Sequence, residues 1–305
     1  MKIPYTILFL IITACILTHS ELSLTYALNG LDLWYNKMVP ALFPFMILSG
    51  IMIRMNLTKM FTGLIFPVIH PIYRVSENVC YAMLVGFLCG FPMGAKTVAD
   101  LLKRDMISER EAEYLLAFCN NIGPVYFCSY VLPLLRRQLL LPYLLGMYGI
   151  PLVYGILLRY TKYRDITDTS LRSVHSSPHC GKSLLDEADD AITSSVQSIL
   201  SLGGYMIFFN LLNIVPHICF HTTPIYLAPL FEITGGLKLM EGKLPLYGLL
   251  LLPFGGLSCI AQTNSCIKGT TLSISAYTVH KVILMLLTGV YYLVWFLLSP
   301  SGFLH

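Results

Sequence analysis

The sequence predicts an all-α, polytopic membrane protein of eight or nine spanning helices, with two internal repeats and interrupted helices. Of its 305 residues 56% are apolar and only 12% are charged, and the mean hydropathy is +0.70. An ordinary soluble domain carries roughly 25% charged residues. Several stretches without charge approach the ~20 residues that a spanning helix needs. Within those stretches, glycine, proline and polar residues gather at a few positions, which indicates broken helices.

The charge balance points to the lipid bilayer as the partner. The chain has 20 basic and 16 acidic residues, a net charge of +4. So small a surplus over so long a chain makes no basic field of the kind that nucleic-acid binding needs. We therefore expect no nucleic-acid partner and a multi-pass protein of the cell membrane.

Eight charge-free windows locate the predicted spans. They cover residues 3–20, 38–53, 78–95, 114–135, 138–158, 191–231, 244–267 and 282–305. The window 191–231 contains Pro216, His217 and Pro224 in its middle, so we predict two spans there.

The N-terminal region, residues 1–37, is predicted as one spanning helix followed by an interfacial segment. A secretory signal is the alternative for residues 3–17, but no clear cleavage site comes after it. Residues 22–37 come directly after Glu21 and contain Asp32, Asn36 and Lys37, with Trp34 and Tyr35 suited to headgroup level.

The polar stretch 159–190 separates the two halves of the chain. Its basic residues are Arg159, Lys162, Arg164, Arg172 and Lys182, which places it in the cytoplasm by the positive-inside rule. Arg136 and Arg137, at the other end of the 138–158 window, argue against that orientation. The serine-rich part of the stretch is expected to be disordered.

Two breaks inside apolar windows are the most informative feature. They span residues 86–97 and 253–263, and each combines glycines, a proline and polar residues. An unwound helix frees backbone groups that lipid cannot satisfy, so such a segment must be covered by protein or face a watery cavity. Many transporters build their substrate sites in this way.

The two breaks resemble each other in sequence. A shift of 166 positions aligns Tyr81, Leu84, Gly90, Ala95 and Thr97 with Tyr247, Leu250, Gly256, Ala261 and Thr263, and sets Lys96 opposite Gln262. Paired interruptions in two halves predict an internal duplication around a transporter site. Parallel and inverted arrangements both remain open.

A surface connector and a third break come after the first one. Residues 97–105 form an amphipathic helix, and Ser108 with Glu111 forms a capping box for the next helix. That helix ends at Asn120-Asn121, before Gly123-Pro124. The asparagines either cap the helix or face a substrate, and both interpretations remain open.

Ionisable residues near the apolar windows have two interpretations each. Glu232 is either a functional carboxylate or an interfacial one balanced by Lys238. Lys96 either snorkels to the surface or presents its ammonium to a ligand or to Glu232. His217 and His221 have metal-ligand spacing, but no third ligand is near, so a loop between spans is favoured.

Motifs for catalysis and for metal frameworks are absent from the sequence. The nine cysteines form no CxxC pair, and most lie in apolar windows as small buried hydrophobes. No nucleophile elbow, phosphate loop, zinc-protease or dinucleotide motif occurs. We expect no enzymatic activity, no cofactor and no bound metal.

Three segments together resemble a known family. They are residues 90–97 (GFPMGAKT), 105–112 (DMISEREA) and 118–124 (FCNNIGP), with further matches at 40–45, 230–237 and 255–262. They resemble the YlbJ family of sporulation integral membrane proteins, over roughly residues 30 to 295. The family carries the nucleoside-recognition or Gate domain, which also occurs in spore maturation proteins, concentrative nucleoside transporters and the membrane part of the ferrous iron transporter.

The resemblance implies a duplicated Gate fold in a plasma-membrane protein needed during sporulation. Residues 38–158 would be the first Gate repeat and residues 191–305 the second, related as an inverted repeat. The predicted function is a carrier of a small polar, nucleoside-like solute. A coupling ion and a second copy of the chain, in a homo-oligomer, are the other candidate partners. The alternatives are a membrane scaffold for sporulation proteins and permeation of ferrous or other divalent cations past Cys89, Cys119 and Cys259.

The predicted substrate site joins the breaks. Half-helix N-termini would point N–H groups into a cavity, and one repeat would rock against the other. The candidate substrate-binding residues are Gly90, Pro92, Gly94, Lys96, Asn120, Asn121, Gly123, Glu232, Thr234, Gly256, Ser258 and Gln262.

Overall fold

The computed structural model describes residues 3–55, 57–135, 140–166, 184–241 and 243–298. Every regular element in these ranges is helical, which confirms the all-α prediction. The helices are α1 Ile3–Thr18, α2 Ser20–Arg54, α3 Thr58–Thr62, α4 Phe66–Tyr73, α5 Glu77–Leu88, α6 Met93–Lys103, α7 Glu109–Phe118, α8 Pro124–Leu134, α9 Leu140–Tyr160, α10 Leu184–Leu211, α11 Ile214–Phe220, α12 Ala228–Phe231, α13 Ile233–Met240, α14 Pro245–Leu251, α15 Gly256–Ile267 and α16 Ile274–Leu298.

Five helical stretches of the described chain are long and apolar enough to cross a membrane. They are Ser20–Arg54, Leu140–Tyr160, Leu185–Phe220, Pro245–Ile267 and Ile274–Leu298. Three shorter apolar helices are Thr6–Thr18, Glu77–Leu88 and Pro124–Leu134. These helices support the prediction of a membrane protein. The count of eight or nine spans and the internal duplication stay predictions.

Helix α2 differs from the predicted interfacial segment. Residues 22–37 are not a separate element, because a single helix of 35 residues runs through them to Arg54. Its polar groups have partners: the Trp34 indole donates to the Ile199 carbonyl at 2.9 Å, and Asp32 lies 3.5 Å from Lys238. Such a helix is about 52 Å long, so it must tilt within or extend beyond the ~30 Å hydrocarbon core.

The long window 191–231 is interrupted where the sequence predicted. Helices α10 and α11 run in succession to Phe220, and His221 ends α11 with a φ of 51°. Beyond the break lie the two short helices α12 and α13, of four and eight residues, instead of a second full span. Pro224 lies within the break, and because proline lacks an N–H and clashes with the preceding turn it limits how far α11 can extend.

The predicted polar loop is partly helical. Helix α10 begins at Leu184, so residues 184–190 are its first turns, and Arg159 lies in α9. Arg172, Lys182, Arg136 and Arg137 lie outside the described residues, as do most of the serines that predicted disorder.

The connector between α6 and α7 forms as predicted. The Ser108 hydroxyl accepts from the Glu111 N–H at 3.2 Å, and the Glu111 carboxylate accepts from the Ser108 N–H at 2.8 Å, which makes the capping box. At the same surface the Arg110 guanidinium donates to Asp165 at 2.9 Å, and this hydrogen bond lowers the pKa of the Asp165 carboxyl.

Both predicted breaks are present and share a backbone feature. Between α5 and α6 the chain turns at Gly90, and α15 begins at Gly256; each glycine has a φ of 78°. Left-handed backbone of this kind favours glycine. Helix α6 packs on α5, α7 and α15, while α16 packs on α7 and α10 packs on α2. These helices surround the breaks and position their polar residues.

Candidate functional site

The first break and the break after α7 are joined by hydrogen bonds. Before α6 begins, the Phe91 N–H donates to the Asn121 carbonyl at 2.7 Å. In the first turn of α6, the Ala95 N–H donates to the Asn120 side-chain oxygen at 3.2 Å. The first N–H groups of a helix have no partner within that helix, so Asn120 caps α6 from a neighbouring segment.

Both asparagines are enclosed by protein. The Asn120 amide nitrogen donates to the Thr263 hydroxyl at 3.1 Å and to the Tyr277 hydroxyl at 2.9 Å. Asn121 donates to the Phe118 carbonyl at the end of α7. The capping interpretation therefore describes them in this conformation, although the helix that Asn120 caps is not its own.

A buried lysine completes this group. The Lys281 ammonium donates to the Asn120 carbonyl at 2.7 Å and to the Asn121 side-chain oxygen at 3.2 Å. It lies 4.5 Å from the centre of the Phe91 ring, and its residue is only 1% exposed. We call Asn120, Asn121, Thr263, Tyr277 and Lys281 the central polar cluster.

Lys281 and Tyr277 were not among the predicted site residues. The predicted spans were charge-free windows, so the window 282–305 began directly after Lys281 and left this residue out. In the structure Lys281 lies in the interior of α16. The available signal was an ionisable residue flanked on both sides by apolar helix, which at membrane depth is by default a candidate functional group.

Three of the predicted glycines serve close packing. A Cβ at Gly90 would meet the Gly123 backbone, one at Gly94 would meet the Cys119 carbonyl, and one at Gly123 would meet the Cys89 carbonyl. The absence of side chains here lets the two breaks approach closely enough to share hydrogen bonds.

A polar cleft of about 280 Å³ lies beside the central polar cluster, between α6, α10 and α15. Its lining residues are Pro92, Lys96, Asp100, Lys103, Ser194, Gln197, Ser198, Ser201, Leu202, Tyr205, Gln262, Ser265 and Cys266. Three predicted site residues, Pro92, Lys96 and Gln262, are among them. The volume approaches the lower end of the range for small-molecule sites, ~300 Å³.

Hydrogen bonds fix the polar groups of this cleft. The Lys96 ammonium donates to the Ser194 hydroxyl at 3.0 Å and lies 3.4 Å from the Asp100 carboxylate. The suggested pairing of Lys96 with Glu232 is therefore wrong, since an aspartate one turn along α6 is its partner. Gln262 donates to the Ser258 hydroxyl at 2.9 Å, so Ser258, one turn earlier on α15, fixes the position of the Gln262 side chain.

Glu232 and Thr234 lie at a third place. Glu232 caps α13: its carboxylate accepts from the N–H groups of Thr234 at 3.0 Å and Gly235 at 2.6 Å, and from the Asn210 amide at 3.1 Å. The residue is 2% exposed. Balance by Lys238 is wrong, because Lys238 pairs with Asp32 and the helix N-terminus stabilises Glu232 instead.

Tyrosines from α8 extend the Glu232 group. Tyr126 donates to the Thr234 hydroxyl at 3.0 Å and Tyr130 donates to the Thr234 carbonyl at 2.8 Å. Gly256 lies close to the Pro229 carbonyl, so a Cβ there would crowd α12. Apart from the glycines, which serve close packing, the predicted site residues lie at three places. These are the polar cleft with Pro92, Lys96 and Gln262 and the neighbouring Ser258, the central polar cluster with Asn120 and Asn121, and this capped carboxylate with Glu232 and Thr234.

Metal-ligating residues do not assemble in the described part of the chain. No three His, Cys, Asp or Glu side chains come together there in a group that could hold a metal ion. His217, one of the spaced pair, instead forms a 2.7 Å hydrogen bond with the Tyr26 hydroxyl.

The five long apolar helices of the described ranges are those of an integral membrane protein. The chain is 27% identical, over 95% of its length and 80% of the relative's, to the "Sporulation integral membrane protein YlbJ" of Bacillus subtilis (strain 168). This match confirms the predicted resemblance to the YlbJ family. No family model and no solved structure matches the chain.

Proposed function

We propose that this protein is a multi-pass protein of the cell membrane, linked to sporulation, that carries a small polar, nucleoside-like solute. The name of the YlbJ relative, a sporulation integral membrane protein, supports both the membrane assignment and the sporulation link. The observation that carries the proposal is the polar cleft, which collects Lys96 and Gln262 from the two predicted repeats next to both helix breaks.

The chemistry of the polar cleft suits a solute with several hydroxyl and amide groups. Ser194, Ser198 and Ser201 recur along one face of α10, and Gln197 and Gln262 offer donors and acceptors. Lys96 pairs with Asp100, so Lys103 is the remaining charged side chain of the lining, and the other polar groups are uncharged donors and acceptors suited to a polar solute. Rocking of one repeat against the other would expose the cleft to the two sides of the membrane in turn.

Uptake of labelled uridine and adenosine into proteoliposomes tests the proposal. We expect accumulation with the unaltered protein and a roughly ten-fold loss with Gln262→Ala, since one or two net hydrogen bonds are worth about 1.4 kcal/mol. Asn264→Ala is the matched control, because Asn264 is exposed on the same helix. For Lys96→Gln the control is Lys59→Gln, at an exposed lysine.

Two outcomes would contradict the proposal in different ways. Uptake that survives both Gln262→Ala and Lys96→Gln would remove the cleft as the site. No uptake and no ligand-induced rise in Tm, in protein shown to be folded, would remove the carrier function and favour the scaffold alternative. The cation alternative gains no support from the described residues, where Cys89, Cys119 and Cys259 form no ligand group.

A further inference from the structure

The surroundings of Lys281 are unusual for a buried lysine. Burial of an ammonium costs several kcal/mol unless it is paired. Nevertheless, no carboxylate of the described residues forms an ion pair with Lys281. The titratable groups that face it are the thiols of Cys119 and Cys259 and the Tyr277 hydroxyl, all of them neutral in their ordinary state.

Oxygen atoms of a helix break take the place of a counter-charge. One is the backbone carbonyl of Asn120, 2.7 Å away, and the other is the Asn121 side-chain oxygen, 3.2 Å away. Both lie directly after the C-terminus of α7, where the helix dipole is negative. The face of the Phe91 ring, at 4.5 Å, adds a cation–π contact.

This set of ligands is typical of a site for a free cation. Secondary carriers bind coupling cations with unwound backbone carbonyls and the C-terminal ends of half-helices near the membrane midplane. An ammonium group and K⁺ are similar in size and accept the same oxygen ligands. In this chain the positive charge at these oxygens is the ammonium of Lys281, a side chain of α16.

We propose that the Lys281 ammonium is a tethered monovalent cation, which fills an oxygen-lined site where the breaks before α6 and after α7 meet. It holds Asn120 and Asn121 in place, and through them the capped start of α6. The free cation that such a site would otherwise need is not required. The consequence for transport, independence of Na⁺ and K⁺, rests on the proposed function.

Chemical rescue of Lys281→Ala tests this proposal. The substitution removes three methylene groups and the ammonium, which n-propylammonium replaces. In choline chloride we expect the Tm of the variant to fall by roughly 5 to 10 °C. Exchange of choline for n-propylammonium or K⁺ should restore at least half of that loss and leave the unaltered protein unchanged.

Two controls separate charge from packing. The alcohol n-propanol has the same carbon chain as n-propylammonium without the charge, and it should not rescue Lys281→Ala. Lys281→Met fills the space without a charge, so it should be less stable than the unaltered protein and gain nothing from either cation. Lys243→Ala, at an exposed lysine, should show no salt dependence.

Each result decides the question. Rescue by cations alone supports the tethered cation, including the case in which Lys281→Ala folds only in their presence. The same Tm in every salt, failure to fold in every salt, or a Lys281→Met variant as stable as the unaltered protein would overturn it. The measurement needs no transported solute, so it remains informative even if the carrier function fails.

Discussion

At the residue scale, buried charged groups are held by backbone oxygens as often as by opposite charges. The clearest case besides Lys281 is Arg159. Its guanidinium donates to the carbonyls of Tyr73, Arg74, Tyr163 and Ile166 at 2.7 to 3.0 Å. These carbonyls lie at the end of α4 and in the turn after α9, so one side chain joins two separate parts of the chain.

Arg159→Lys is expected to loosen this junction. An ammonium cannot reproduce the planar set of donors, so at least two charged hydrogen bonds are lost and the free energy of unfolding falls by about 3 kcal/mol. A thermal melt in detergent measures the change. Arg74→Lys is the control, because Arg74 is exposed and stacks over Tyr160; an equal loss in both variants would contradict the role of Arg159.

At the element scale, one helix break supplies the hydrogen-bond partners that another helix end lacks. A broken helix leaves N–H groups unpaired at its new start and carbonyls unpaired at its end. Here the break after α7 supplies the oxygens that the start of α6 needs, and Glu232 supplies those that α13 needs. Close approach of the backbones at Gly90 and Gly123 makes the first pairing possible.

Gly90→Ala should therefore lower the free energy of unfolding by more than the cost of its left-handed backbone angle alone. A left-handed residue other than glycine costs about 1 to 2 kcal/mol, and at Gly90 the new Cβ also collides with the Gly123 backbone. Gly269→Ala is a matched control, since Gly269 has the same φ of 78° with nothing within 4 Å. If the two variants lose the same stability in a thermal melt, the close approach of the two breaks is not important.

At the scale of the whole molecule, the long helix α2 is part of the core assembly. Helix α2 packs along α10, the first helix of the predicted second repeat, and Trp34 lies against Gly203. Its indole donates to the Ile199 carbonyl at 2.9 Å. The predicted boundary between residues 1–37 and the repeats therefore does not separate them in space.

Gly203→Leu is expected to displace the Trp34 indole. The added side chain overpacks the contact, which typically costs about 1 to 3 kcal/mol, and the fluorescence of Trp34 should shift to the red in a Trp295→Phe background. Gly204→Leu is the neighbouring control, since nothing lies within 4 Å of a Cβ there. An unchanged spectrum and Tm for Gly203→Leu would mean that α2 is not held by this contact.

The sequence by itself determined that the protein is helical and belongs in a membrane, because hydropathy and the scarcity of charge act locally along the chain. It also located the breaks at Gly90 and Gly256, the capping box at Ser108 and the YlbJ resemblance, each carried by adjacent residues. Pairings between distant residues were decided only by the tertiary structure. The Lys96 ammonium meets Ser194, Glu232 accepts from Asn210, and Lys281 meets Asn120 and Asn121. A buried charge takes whichever hydrogen-bond partner the packed helices bring within reach.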